Sequence, residues 1–195
     1  SIRFGLGGIK NVGEDVVKAV VEERKEHGEF KHLDDFVHRM FNGVGKRAME
    51  YLVMAGTMDS FGDRNALLQI LPVIYEKEKA RSKSQVLGQI DIFSLTVSDE
   101  PKKEETVAMT PLPNIEKTPI SQVLSWEKEL LGLYFSSHPL DPFQEFFESK
   151  NVTSLRQALD EKKNNDLVIL GVMVNKVRKI TTKKGEIMAF LTIED

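Results

Sequence analysis

Apolar side chains recur three and four positions apart in four stretches of the chain: Val16, Val17, Val20 and Val21; Leu33, Phe36, Val37 and Met40; Ala48, Met49, Leu52 and Val53; and Ala66, Leu67, Ile70, Leu71, Ile74 and Tyr75. That is the period of an amphipathic helix, so four helices are expected. Two of them open on glycine bends. Val12-Gly13 leads into the first, and Gly43-Val44-Gly45 leads into the third, where the backbone can turn at two points while Val44 plugs into an apolar neighbour. Gly56 stands where a C-terminal cap belongs. Gly45 follows Gly13 by 32 residues, an approximate repeat that predicts two stacked units sharing one core. Only SIRFGLGG precedes the first bend, and its glycines discourage helix, so the chain is expected to begin partway through a larger protein. In the fourth helix Pro72 predicts a kink or a second helix start, with the helical run ending near Ser82.

The pattern changes after that. Gln89 to Phe93, QIDIF, is an apolar island in a polar stretch, and SDEPKKEETVAMTPLPNIEKTP has the charge and proline content of a linker. Such an island is either a short strand or tail docked on its own domain or a linear motif for a partner's groove. From Ile120, Val123, Leu124, Trp126, Leu130, Leu131 and Tyr134 mark another helix, with Trp126 and the Tyr134-Phe135 pair as expected core anchors. PFQEFFESK predicts a short helix, and SLRQ at Ser154 to Gln157 a capping box opening the next. In the last thirty residues LVILGVMVNKVRKI has the β-branched, apolar composition of a half-buried strand, TTKKGE is a turn and IMAFLTIED alternates with period two, which predicts a β-hairpin with Gly185 at its tip. Two strands do not close a sheet, so the chain is expected to stop inside a β-domain. The fold class is mainly α with a small C-terminal β part.

Composition narrows the function. With 41% hydrophobic residues the chain can build a core, and with no cysteine it has neither disulfides nor thiolate metal ligands, as suits a reducing cytoplasm. No run approaches the length of a membrane span and no signal peptide opens the chain, so no membrane partner is expected. The net charge of −3 argues against a protein that coats nucleic acid through basic charge alone. Residues 1–60 hold nine basic and ten acidic side chains, so DNA contact there must come largely from backbone amides and be indifferent to sequence. A glycine bend aimed at a helix N-terminus supplies such amides beside the positive end of the helix dipole, and Lys46 and Arg47 sit at that opening. In ordinary helical hairpins the same bend only packs helices. The most basic run is in the β-hairpin, where Lys176, Arg178, Lys179, Lys183 and Lys184 have no acid between Val174 and Gly185.

No catalytic or metal-ligating residues emerge. His27, His32, His38 and His138 lack metal spacing, and no Ser-His-Asp set, Walker loop or dinucleotide fingerprint is present. Asp34-Asp35 and Glu22-Glu23 read as solvated helix faces, and His138 before Pro139 as structural.

Taken together, IKNVGEDVVKAVVEERKEHGEFKHLDDF, LVMAGTMDSFGDRNALLQILP, GQIDIFSL, WEKELLGLYFSSHPLDPF and the closing β-hairpin resemble, in collinear order over nearly the whole chain, the C-terminal half of the alpha subunit of bacterial DNA polymerase III. EKELLG followed by SSHPLDP is the specific part of the likeness. The resemblance implies a tandem helix-hairpin-helix domain over 1–82 that holds double-stranded DNA through its phosphates. Asn11, Val12 and Gly13, and Gly43, Val44, Gly45, Lys46 and Arg47, take the phosphate-facing positions, Asn11 standing where such a motif usually has glycine. It further implies a linker over 83–118 carrying a sliding-clamp-binding motif at 89–93. There Gln89 is the hydrogen-bonding anchor, Ile92 and Phe93 the hydrophobic plug, and Asp91 lies between them. A helical connector over 119–162 and the start of an OB-fold over 163–195 complete the order, the basic hairpin tracking single-stranded template. Other replisome subunits are implied partners, and a bacterial, nucleoid-associated location is implied with them. The family's polymerase aspartates and their Mg2+ belong to upstream domains, so no cofactor is expected in this segment. The competing readings are a structural protein-interaction module and a helix-hairpin-helix accessory domain of a repair protein.

Overall fold

The computed structural model describes residues 5–86, 107–163 and 165–195. They form two compact units, Ser1–Ser136 and Ser137–Asp195. The architecture is mainly α, with one two-stranded antiparallel sheet near the C-terminus. No helix among the described residues is long and apolar enough to cross a membrane.

In the first unit a short 3-10 turn at Leu6–Gly8 precedes α1 (Glu14–His27), α2 (Leu33–Met40), α3 (Lys46–Met54) and α4 (Arg64–Val86); α5 (Ile120–Leu131) closes it. Their apolar stripes meet in one core, in which Val37, Val44, Met49, Val53, Leu67 and Leu71 are all but inaccessible to solvent. The helix ends follow from local chemistry. His32 caps α2 by accepting the Asp35 N–H at Nδ1, and Gly56 takes φ +80° just past α3, turning the Thr57 N–H back to the Leu52 carbonyl. A side chain at Gly56 would also strike the Arg64 guanidinium. The fourth stripe forms one helix that continues through Pro72 to Val86, rather than breaking there or ending near Ser82. The ring removes one helical donor, and the flanking Leu67, Ile70, Leu71 and Ile74 stay in the core and hold the two turns together.

Residues 107–119, which have the composition of a linker, lie across the helices as a strap. Thr110 donates its N–H and hydroxyl to Asp34 at the start of α2, and Thr118 does the same to Asp63 just before α4. Between these clips Leu112 joins the core edge and fills the space beside Gly62, where a Cβ would come within 2.5 Å of its Cδ1. Asp34 is therefore 2% exposed, not part of a solvated face. Its neighbours are engaged as well: Asp35 accepts from Arg39 and the Lys31 N–H, and Glu23 accepts from Arg39 Nε at 2.8 Å. Helical spacing had placed these acids on the outer face; burial by a segment distant in sequence is invisible to it.

A buried ionic cluster fixes α5. Glu127, 1% exposed, accepts from the Phe135 N–H, the Ser136 N–H and the Ser136 hydroxyl, and lies 3.5 Å from Arg64. Arg64 also binds Asp59 through Nε and Nη2 and the Met54 carbonyl through Nη1. Burial pushes the Glu127 carboxyl up, but its Ser136 and Phe135 donors and Arg64 outweigh this and hold it below the usual carboxylate range. Trp126 and Tyr134 are half-buried, whereas Phe135 is 49% exposed and is not a core anchor: its N–H, not its ring, is what the core uses.

The second unit holds α6 (Gln144–Ser149), α7 (Leu155–Glu161), β1 (Met173–Thr181) and β2 (Ile187–Glu194). Asp141 closes the turn before α6 by accepting from the Ser137 hydroxyl and the His138 N–H, and His138 accepts the Leu140 N–H at Nδ1. Ser154 and Gln157 form the capping box of α7, and the Asp195 carboxylate takes the next free amide, that of Leu155. Strands β1 and β2 pair antiparallel around Gly185, whose φ of +82° suits the turn.

Candidate nucleic-acid interface

The two glycine bends each turn the chain into a helix whose first amides have no intrahelical acceptor, α1 after the first and α3 after the second. In the second, α2 ends at Met40, whose carbonyl accepts the Gly43 and Val44 N–H groups at 3.1 and 2.8 Å. Val44 drops into the core at 1% exposure, and this plug fixes the hairpin against the helices. Gly45 then adopts an extended conformation (φ −66°, ψ 150°) and its carbonyl accepts the Ala48 and Met49 N–H groups, starting α3. Among the described residues the N–H groups of Gly45, Lys46 and Arg47 have no protein acceptor, and all three point from the positive end of α3. Arg47 is exposed and half-restrained, its Nε 3.2 Å from the Tyr51 hydroxyl. Three amides without a protein acceptor thus stand beside two basic residues at the start of α3.

The first bend has the same frame with other occupants. Ile9 and Val12 are buried, the Val12 N–H closes a turn on the Ile9 carbonyl at 3.2 Å, and Asn11 sits in that turn at φ +67°. Asparagine is one of the few side chains that tolerates the left-handed region, so it replaces glycine there without breaking the turn. The Asn11 and Gly13 N–H groups have no acceptor among the described residues. Three differences set it apart: the Lys10 N–H is consumed by the Leu130 carbonyl of α5 at 2.8 Å, the first turn of α1 carries Glu14 and Asp15, and no basic side chain stands in that turn.

Of the eight residues assigned to duplex contact, then, Val12, Gly43 and Val44 spend their amides inside the protein, and the two valines serve as plugs. Asn11, Gly13, Gly45, Lys46 and Arg47 keep donors directed outward. Gln89, Asp91, Ile92 and Phe93 lie outside the described residues. The basic run of the β-hairpin is divided by its pairing: Lys176 faces Thr192 and Arg178 faces Phe190, while Lys179, opposite Ala189, belongs to the other side of the ribbon, and Lys183 and Lys184 are in the turn. The positions that sequence reading left without a role are Thr110, Thr118, Arg64, Glu127 and Phe190. Glu127 and Ser136 do stand inside the strings EKELLG and SSHPLDP, but nothing in a string shows that one binds the other.

Residues 1–67 match the helix-hairpin-helix motif family. Over its full length the chain is 35% identical across 198 residues to DNA polymerase III subunit alpha of Bacillus subtilis, 36% across 200 residues to that of Thermus aquaticus, and 33% across 196 residues to that of Haemophilus influenzae. These alignments take in 100% of the chain but only 15–16% of each relative, so the chain spans under one fifth of the length of the proteins it matches.

Proposed function

Because the chain belongs to the DNA polymerase III alpha-subunit family, we propose that it is the part of a bacterial replicative polymerase that grips the duplex and ties the enzyme to its sliding clamp. The observation that carries the duplex role is the cradle at the start of α3, where the outward N–H groups of Gly45, Lys46 and Arg47 meet two basic side chains. A phosphate there takes two or three amide hydrogen bonds plus the charges, and none of these groups reads a base edge. Contacts of this type position a duplex without choosing its sequence, as a replicative enzyme requires. Nucleotidyl transfer belongs to the larger protein, and this segment contributes grip rather than reacting groups. Its setting is the bacterial cytoplasm, on the nucleoid, among other replisome subunits.

The clamp role rests on QIDIF, an apolar pentad in a polar stretch whose Gln89, Ile92 and Phe93 suit a groove with one amide-binding and one apolar end. The β-hairpin, read as the opening of an OB-fold, would take single-stranded template. A purely structural role is favoured at one place only, the first hairpin, where α5 occupies the Lys10 amide.

The test is a salt titration of the 195-residue chain with unrelated duplexes. Lys46→Glu together with Arg47→Glu weakens binding to all of them equally and lowers the slope of log affinity against log salt by about two. A loss confined to some sequences, or unchanged binding, removes the cradle from the account.

A further inference from the structure

Asn42 is the residue of the second hairpin to which the duplex reading gives no part. It lies in the turn over 41–44 and is exposed, and its side chain has no hydrogen-bond partner among the described residues. Among the chain's asparagines only Asn42 is followed by glycine. An asparagine carboxamide is open to attack by the main-chain nitrogen of the next residue, and a side chain on that residue is the usual obstacle; Gly43 has none. That nitrogen is only partly engaged. The Met40 carbonyl accepts two donors, the Val44 N–H at 2.8 Å and the Gly43 N–H at 3.1 Å, so Gly43 holds the longer share of a divided bond. Releasing it leaves the Val44 bond and the buried Val44 plug in place, so the attack needs one local opening and not the unfolding of the hairpin.

We propose that Asn42 is a self-modification site, at which the second hairpin converts itself to an isoaspartyl form that no longer presents its amides. The Gly43 nitrogen bonds to Asn42 Cγ, the Cγ–Nδ2 bond breaks, and ammonia departs carrying the Gly43 amide proton, which leaves a cyclic imide. Water then opens the ring, giving its oxygen to the new carboxylate and a proton back to the nitrogen. Breaking the bond from nitrogen to Cγ yields aspartate; breaking the bond from nitrogen to the main-chain carbonyl carbon yields isoaspartate, and neither step changes an oxidation state. Both products place a carboxylate just ahead of Gly45, Lys46 and Arg47, where it repels a phosphate. Isoaspartate also adds a methylene to the main chain inside the turn that closes on the Met40 carbonyl, so the Gly43 and Val44 donors no longer both reach it and the Val44 plug is displaced. The effect on DNA rests on the reading of this hairpin as the duplex grip; the reaction itself does not.

The test ages the whole 195-residue chain in mildly alkaline buffer and reads Asn42 by peptide mapping with mass spectrometry and by isoaspartyl methyltransferase labelling. Asn42 is expected to convert several-fold faster than any other asparagine. Gly43→Ala is expected to suppress the conversion many-fold, and it folds, because a Cβ at Gly43 meets Ala19 Cβ and Met40 Cε at an ordinary 3.6 Å. Asn42→Gln, whose longer side chain must close a larger ring, stays unconverted and keeps its duplex affinity through the same treatment. The aged parent, separated by anion exchange, is expected to bind duplex about tenfold more weakly than the fresh chain. It is also expected to show faster hydrogen exchange at the Val44 amide, a readout that needs no DNA. Conversion at Asn42 no faster than at other asparagines, or an aged chain with unchanged Val44 exchange and unchanged affinity, would overturn the proposal. If the fresh chain fails to bind duplex while Asn42 converts and Val44 exchange rises, the duplex reading falls and this site stands.

Discussion

The two hairpins have the same backbone plan and different chemistry. Each buries a valine, Val12 or Val44, and each enters its helix through an extended glycine, Gly13 or Gly45. The second then offers Lys46 and Arg47 beside its free amides; the first offers Glu14 and Asp15 and gives its Lys10 amide to α5. Acids in the first turn favour the helix dipole but repel a phosphate, so the same residues that strengthen α1 weaken its grip. A repeat in backbone geometry is therefore not a repeat in chemistry: one copy keeps its free amides beside two cations, and the other gives an amide to α5 and carries two acids.

Four perturbations sharpen or break this division, from the largest expected effect downward. Glu127→Ala removes the acceptor that fixes α5 and leaves three donors and part of the Arg64 charge unanswered, so it is expected to cost about 3 kcal/mol in urea unfolding. Since the Lys10 amide is held by Leu130 of α5 and the Val44 amide by Met40 of α2, hydrogen exchange at the Lys10 amide accelerates more than at the Val44 amide; equal acceleration would erase the distinction. Acid acts on the same anchors. Burial also pushes the Asp63 carboxyl up, but the Thr118 N–H and hydroxyl with the Asn65 and Ala66 amides outweigh it, so Asp63 and Glu127 are both held below their unfolded values. A lowered native value stabilises above the unfolded one and is lost as pH falls through the native one. Stability therefore drops below about pH 4 and drops less steeply in Glu127→Gln.

Next, Glu14→Lys with Asp15→Lys gives the first hairpin the charge of the second. Duplex affinity rises several-fold, with a steeper salt dependence, if α1 lies within reach of the backbone. Unchanged affinity would show that this end of the domain never meets DNA. The smallest effect tests the turn alone: Asn11→Ala forces an unsuited side chain to φ +67° and costs about 1 kcal/mol, while Asn11→Gly changes unfolding by less than about 0.5 kcal/mol.

The helices, the Gly56 cap, the Ser154 capping box and the strand turn were legible in the sequence because each depends on residues within a few positions of one another. The strap was not. Thr110 reaches Asp34 across 76 positions and Thr118 reaches Asp63 across 55, and no periodicity carries information over such spans. The same is true of the site. The glycine bends announced where free amides would be, but which of them the protein itself uses was decided by Met40 and Leu130, whose carbonyls have no signature in a sequence. The sorting of the basic run depended on one unpaired residue, Asn175, and a period-two pattern cannot foresee a bulge.

The clips at Thr110 and Thr118 also make the strap a two-point fastening. It joins the start of α2 to the start of α4, so a pull on either end of residues 107–119 is shared between two anchorages, and breaking one leaves the other in place.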